Sequence, residues 1–182
     1  MSPTNRLRLG VVLSGSGTTL QNLLDRSADG RLHAEVVLVV SNKPQAYGLE
    51  RAKAAGVPTE VVLRKECASR WTFSERILDH CRAADVDLVC LAGFLQLLEV
   101  PPDFEHRIMN IHPALVPAFS GEGYYGRLVH EAVIQAGVKV TGCTVHFVDN
   151  EYDHGPIILQ KDVPVEDDDT PDTHADRVQT VE

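Results

Sequence analysis

Asn110 and His112 stand two residues apart in the run Met109-Asn110-Ile111-His112-Pro113-Ala114-Leu115-Val116-Pro117. On an extended strand that spacing turns both side chains to one face. An amide donor then lies beside a titratable imidazole. The apolar residues after Arg107 read as a buried strand, and the two prolines, which have no N–H to donate, end it in a rigid turn. The C-terminal ends of strands are where open α/β sheets bind ligands. A carboxylate is available from a later acidic turn, Asp149-Asn150-Glu151-Tyr152-Asp153-His154-Gly155-Pro156, in the form of Asp153. An amide, an imidazole and a carboxylate suit acyl transfer to an amine or to water. Asn can donate to a developing oxyanion. His can donate as imidazolium or accept a proton. Asp can orient the His or position a water. No Ser or Cys lies in a nucleophile-elbow pattern, which favours direct attack by the substrate over a covalent intermediate. The bland reading of the same residues is a structural Asn, a satisfied core His and a turn-capping Asp. His112, His146 and His154 could meet in space, but no motif such as His-Glu-x-x-His is present, so no metal is expected.

A second candidate site follows the first apolar run, Leu7 to Leu13. Ser14-Gly15-Ser16-Gly17-Thr18-Thr19 leads into a helical pattern of Leu20, Leu23 and Leu24. Strand, glycine turn and helix gather backbone N–H groups and a positive helix end at one place, which suits an anion. The third glycine of a dinucleotide fingerprint is missing, because Leu20 stands there. The next strand, Ala34 to Val40, ends in Ser41-Asn42-Lys43-Pro44 with no acid for a ribose hydroxyl. Both features count against NAD, and no P-loop lysine follows Gly17. A small phosphate is the preferred ligand, and a tight turn that binds nothing is the alternative.

The elements that must position these residues alternate. Helices are expected over Tyr47–Ala55, Ser69–Ala84 and Leu128–Ala136, and strands over Pro58–Leu63, Asp87–Ala92 and Val140–Val148. Phe94–Leu98 is read either as a short core helix or as a wall for a flat apolar ligand. Phe119–Gly126 reads as a surface loop with the makings of a lid. Ile157–Gln160 and Val163–Val165 read as two short edge pieces. Thr170-Pro171 starts a last helix that is expected to run to the final residue, Glu182. This alternation predicts an α/β fold with a doubly wound, mainly parallel sheet and a Rossmann-like N-terminal half, with antiparallel pairing allowed in the less regular second half.

A chain of 182 residues is expected to form a single domain over 1–182. Seventeen basic and twenty-six acidic residues give a net charge of −9, which offers no electrostatic funnel to nucleic acid or an anionic membrane. No signal peptide or membrane-length stretch is apparent. Cys67, Cys81, Cys90 and Cys143 are scattered, with Cys90 and Cys143 in apolar runs, as in a reduced cytoplasmic protein.

Four segments together resemble the phosphoribosylglycinamide formyltransferase family. They are VLSGSGTTLQNLL (Val12–Leu24), VSNKPQAYGLERA (Val40–Ala52), LAGFLQLL (Leu91–Leu98) with NIHPALVP (Asn110–Pro117), and GCTVHFVDNEYDHGPIILQ (Gly142–Gln160). The resemblance implies a formyltransferase fold. It also implies transfer of a formyl group from 10-formyltetrahydrofolate, as co-substrate, to the amine of glycinamide ribonucleotide. It places the family's catalytic residues on Asn110, His112 and Asp153. It assigns the ribonucleotide to Gly17, Thr18 and Thr19, with Arg70, Gln179 and Glu182. It assigns the folate to Phe94, Leu95, Gln96, Leu97 and Leu98, and to Asp149, Asn150, Glu151 and Tyr152. Thr19 stands where the family often has Asn, and Gln96 where it often has Arg. Relatives continue past Glu182, so a truncated final helix is expected. Small molecules are the expected partners, with no nucleic acid or membrane, and a homodimer is left open. The rival readings are a formyltetrahydrofolate hydrolase and a non-catalytic folate- or nucleotide-binding module. A hydrolase usually carries a second His after Asn-Ile-His, where Pro113 stands here.

Overall fold

The computed structural model describes residues 6–182. They form two compact units, one ending at Ile108 and the other beginning at Met109. The fold is α/β, as the alternation predicts.

The first unit holds strands β1 (Leu7–Leu13), β2 (Ala34–Ser41), β3 (Thr59–Val61) and β4 (Leu88–Leu91). They pair in parallel in the order β3-β2-β1-β4. Helices α1 (Thr18–Ala28), α2 (Tyr47–Ala54) and α3 (Arg70–Ala83) connect them. Leu9 to Leu13 are buried without interruption, as in a parallel strand covered on both faces. Val11 pairs with Val39 on one side and Cys90 on the other. Leu20 of α1 and Leu49 and Ala52 of α2 close the core over Leu9, Val11, Leu13 and Val39. Ser69 caps α3 by accepting from the Thr72 N–H, and Thr72 accepts in return from the Ser69 N–H.

The glycine turn is locked to the start of α2. Gly17 caps α1 with φ +72°, and a Cβ there would lie 2.7 Å from the Gly48 Cα. The Gly48 N–H donates to the Gly15 carbonyl at 3.1 Å. A Cβ on Gly15 would meet nothing within 4 Å. Gly17→Ala is therefore expected to lower Tm by about 2–8 °C, from about 1–2 kcal/mol of left-handed strain with backbone crowding added. Gly15→Ala should stay within about 3 °C of the unchanged chain. Equal shifts for the two would mean that the turn is not seated on α2.

Phe94–Leu98 forms no helix, contrary to the core-helix reading. Gly93 turns the chain with φ +69°, and the Leu95 N–H goes to the Ser14 hydroxyl at 3.0 Å instead of to a helical carbonyl. The segment is an irregular connection pinned to the end of β1. Two 3-10 turns, Arg64–Glu66 and Pro102–Phe104, carry no apolar period and are absent from the sequence reading. The strand expected over Pro58–Leu63 shortens to β3. Burial pushes the Cys81 thiol up to about 12 and the half-buried Cys90 up to about 11, which makes both poor nucleophiles.

The second unit carries β5 (Ile108–His112), which starts on the last residue of the first unit, with β6 (Val140–Phe147) and β7 (Ile157–Pro164). Both pairings within the unit are antiparallel, with β6 central. Helix α4 (Arg127–Ala136) ends on Gly137 in the left-handed region, φ +67°. Helix α5 (Pro171–Gln179) starts from the Thr170 cap. Cys143, Val163 and Val178 are the buried centre between the strands and α5.

Two expectations are corrected here. The two edge pieces are one strand, because Lys161 and Asp162 stay paired with Cys143 and Gly142. All of β7 except Val163 is exposed, so no alternation marks it. The last helix stops at Gln179, and Val181 and Glu182 fold back so that their N–H groups reach the Val178 carbonyl.

Candidate active site

The strand β5 places Asn110 and His112 on one face, and antiparallel pairing with β6 sets His146 opposite Asn110 and Thr144 opposite His112. Thr144 then fixes the proline turn. Its hydroxyl donates to the Ala114 carbonyl at 2.7 Å and accepts from the Val116 N–H at 3.0 Å. Gln160 on β7 donates to the same hydroxyl at 2.9 Å and to the Val116 carbonyl at 3.0 Å.

Asp153 arrives from the acidic turn in a left-handed conformation, φ +50°, which Asp tolerates better than most residues. Gly155 closes the turn, since a Cβ there would lie 1.9 Å from the Phe147 carbonyl oxygen. One Asp153 oxygen, Oδ1, accepts from the Asn110 amide at 3.2 Å and lies 3.6 Å from His146 Nε2. The other, Oδ2, accepts from the Gly121 N–H at 3.0 Å and lies 3.4 Å from His112 Nδ1. The His112 and Asp153 side chains are only 4% and 10% exposed.

His112 Nε2 lies 2.8 Å from the Phe119 carbonyl. Its two ring nitrogens therefore face the Phe119 carbonyl and the Asp153 carboxylate. His146 sits 3.2 Å from the Asn110 amide nitrogen through Nε2, and 2.9 Å from the Phe147 carbonyl through Nδ1. Burial opposes the Asp153 charge. The neighbouring His146 and His112 rings and the Gly121 N–H outweigh it and hold the carboxyl below its usual range. Burial likewise opposes a charged His146, but the Asp153 carboxylate 3.6 Å away and the Phe147 carbonyl raise its pKa overall. The cluster can thus present an amide, a cationic imidazole and an ionised carboxylate together.

His146 is the member that residue spacing did not assign to acyl transfer. It shares the Asn110 face only through the cross-strand register, which no local pattern reveals. His154 lies apart from this cluster, exposed and held 2.8 Å from Asp149. Among the described residues no group of three or more His, Cys, Asp or Glu could hold a metal ion, and no helix is long and apolar enough to cross a membrane.

The other candidate residues divide between the units. In the first, Gly17 offers α1 no side-chain cap, and Thr18 and Thr19 are the first two helical residues. Arg70 opens α3 and is paired with Glu99 at 2.6 Å. Phe94 stacks on Phe73 with centroids 6.2 Å apart, Leu98 is fully buried, and Leu95 and Gln96 are exposed. Leu97 is half-buried. In the second unit Asp149, Asn150, Glu151 and Tyr152 form the exposed rim of the acidic turn, apart from a half-buried Asp149. Gln179 is exposed at the end of α5, and Glu182 is half-buried.

The family model for formyl transferase matches residues 7–182. The trifunctional purine biosynthetic protein adenosine-3 of Gallus gallus is 43% identical over 98% of this chain, which spans 18% of that protein. The chain likewise spans only 13% of the Drosophila melanogaster protein of the same name. The phosphoribosylglycinamide formyltransferase of Haemophilus influenzae is 40% identical over 87% of this chain and 73% of its own length. The crystal structure of glycinamide ribonucleotide transformylase 1 from Symbiobacterium toebii superposes with a TM-score of 0.90 at 43% identity, covering 97% of this chain and 82% of that one. Matches of this extent, over both units and through every segment that carries the resemblance, leave one conclusion: the chain belongs to the phosphoribosylglycinamide formyltransferase family of formyl transferases.

Proposed function

We propose that this chain transfers the formyl group of 10-formyltetrahydrofolate to the amine of glycinamide ribonucleotide, a step of de novo purine biosynthesis, with both units serving one domain over 1–182. Family membership supports a folate-type formyl donor and small-molecule substrates. The observation that carries the reading is the convergence of Asn110, buried His112 and Asp153.

The substrate amine attacks the formyl carbon, and charge builds on the formyl oxygen. Asn110 Nδ2 and His112 Nε2 donate to that oxygen. It takes the place of the Phe119 carbonyl as the His112 acceptor, and of one of the two present acceptors of the Asn110 amide. Asp153 faces His112 Nδ1 and accepts the amine proton through a water. That proton passes to the folate nitrogen as its bond to the formyl carbon breaks, leaving tetrahydrofolate and the formylated ribonucleotide.

The ribonucleotide phosphate is assigned to Gly17, Thr18 and Thr19 at the helix N-terminus. Arg70, whose side chain is half exposed, joins by exchanging its partly buried Glu99 partner. Gln179 and Glu182 are assigned to the same ligand. Folate contacts are assigned to Phe94–Leu98 and to Asp149–Tyr152.

The test is an incubation with both substrates in which formylated ribonucleotide and released tetrahydrofolate are counted together. Equal amounts are expected. Tetrahydrofolate without formylated product would make the chain a hydrolase, and neither product would make it a binding module.

A further inference from the structure

His130 on α4 and His174 on α5 form a buried pair that the proposed chemistry does not use. Their Nδ1 atoms are 2.9 Å apart, and the rings meet edge to face with centroids 5.0 Å apart. Both are buried, His174 completely. His174 Nε2 has no hydrogen-bond partner among the described residues.

Two ring nitrogens at this distance share one proton, with one ring donating and the other accepting. The orphaned nitrogen decides which. If His174 accepted, its own proton would sit on Nε2 as a buried N–H without an acceptor. If His174 donates from Nδ1, Nε2 keeps only a lone pair, the less costly group to leave unpaired. His174 therefore donates and His130 accepts.

A second proton then has no good place. On His130 Nδ1 it would face the Nδ1–H of His174 and break the bond. On His174 Nε2 it would make a buried cation with nothing to receive its hydrogen. The surroundings add to this. His112 on β5 bears on His130, and Arg177 on α5 bears on His174, both against a further positive charge. Asp169, just before α5, favours a charge on His174 but is held by Arg177 at 2.9 Å.

We propose that the His130–His174 hydrogen bond is an acid-labile clasp that docks α5 on α4. Burial first, then the His174 and His112 charges, push His130 from 6.5 down to about 4, and burial lowers His174 as well. A lowered imidazole pKa means that the docked state excludes a proton that the released state binds. Docking is therefore at full strength above about pH 6.5 and weakens as the pH falls towards about 4. For one excluded proton the opening equilibrium rises about tenfold per pH unit.

The test is hydrogen–deuterium exchange on the full chain, corrected for intrinsic rates. Between about pH 6.5 and about pH 4.5 the α5 amides should lose protection on the order of 100-fold, while those of α3 keep theirs. The double substitution His130→Leu with His174→Leu replaces both partners by apolar groups, and its α5 protection should change less than about threefold over that range. Unchanged α5 protection in the natural chain, or an equal loss in the double variant, would overturn the clasp. Should the double variant fail to fold, nitrogen-15 spectra of the two rings in the natural chain decide. Ring protonation coinciding with α5 opening supports the clasp, and protonation with α5 still protected refutes it.

Discussion

Asn110→Ala is expected to lower turnover by roughly 10²–10³-fold, the usual consequence of losing one oxyanion donor. Folate binding should change by less than about threefold, because the interaction is made chiefly in the transition state. The Asn110 amide also lies between Asp153 Oδ1 and His146 Nε2, each 3.2 Å away. Alanine leaves both without that donor, so about 1–3 kcal/mol of stability should be lost as well. Turnover must therefore be measured per folded molecule, well below the unfolding temperature. A purely structural amide would give the lowered Tm with undiminished turnover of the folded fraction. A variant that keeps more than half its turnover removes Asn110 from the chemistry.

Part of this cluster was legible because its spacing is local. Asn110 and His112 needed only the two-residue period of a strand, and the prolines that follow mark where it ends. The parallel strands were legible because Val11, Val12, Val39 and Val40 form near-continuous apolar runs that only burial on both faces explains. What sequence reading missed depended on partners distant in the chain. His146 joins the site because antiparallel register brings it opposite Asn110. The Phe94–Leu98 segment has the apolar content of a helix, but the Ser14 hydroxyl takes the Leu95 N–H and Gly93 turns the chain. The edge strand β7 shows no alternation because nearly all its side chains are exposed, so its continuity lies only in backbone pairing with β6. The His130–His174 pair joins helices that local pattern places correctly without showing which faces meet. The ribonucleotide and folate residues rest on the family resemblance, since exposed positions such as Gln96, Tyr152 and Gln179 carry no periodic signal.

Asp153→Asn should have an effect of similar or larger size. The substitution keeps the shape of the side chain and removes the charge that faces His112 at 3.4 Å and His146 at 3.6 Å. The neutral amide no longer presents a negative charge to the two rings, and it cannot accept the amine proton. Turnover should fall on the order of 10²–10⁴-fold while both ligands still bind. His112→Ala should be about as damaging. If His112 and Asp153 act as one unit, the two losses cannot both be taken in full. A turn-capping Asp153 would instead cost stability and show no coupling to His112. The deciding measurement is a double-mutant cycle on formyl transfer, with Asp153→Asn, His112→Ala and their combination, and with binding of both ligands checked by titration. The combined variant is predicted to lie within about tenfold of the more damaged single variant. Losses that multiply in full would contradict the account, because Asp153 and His112 would then act independently.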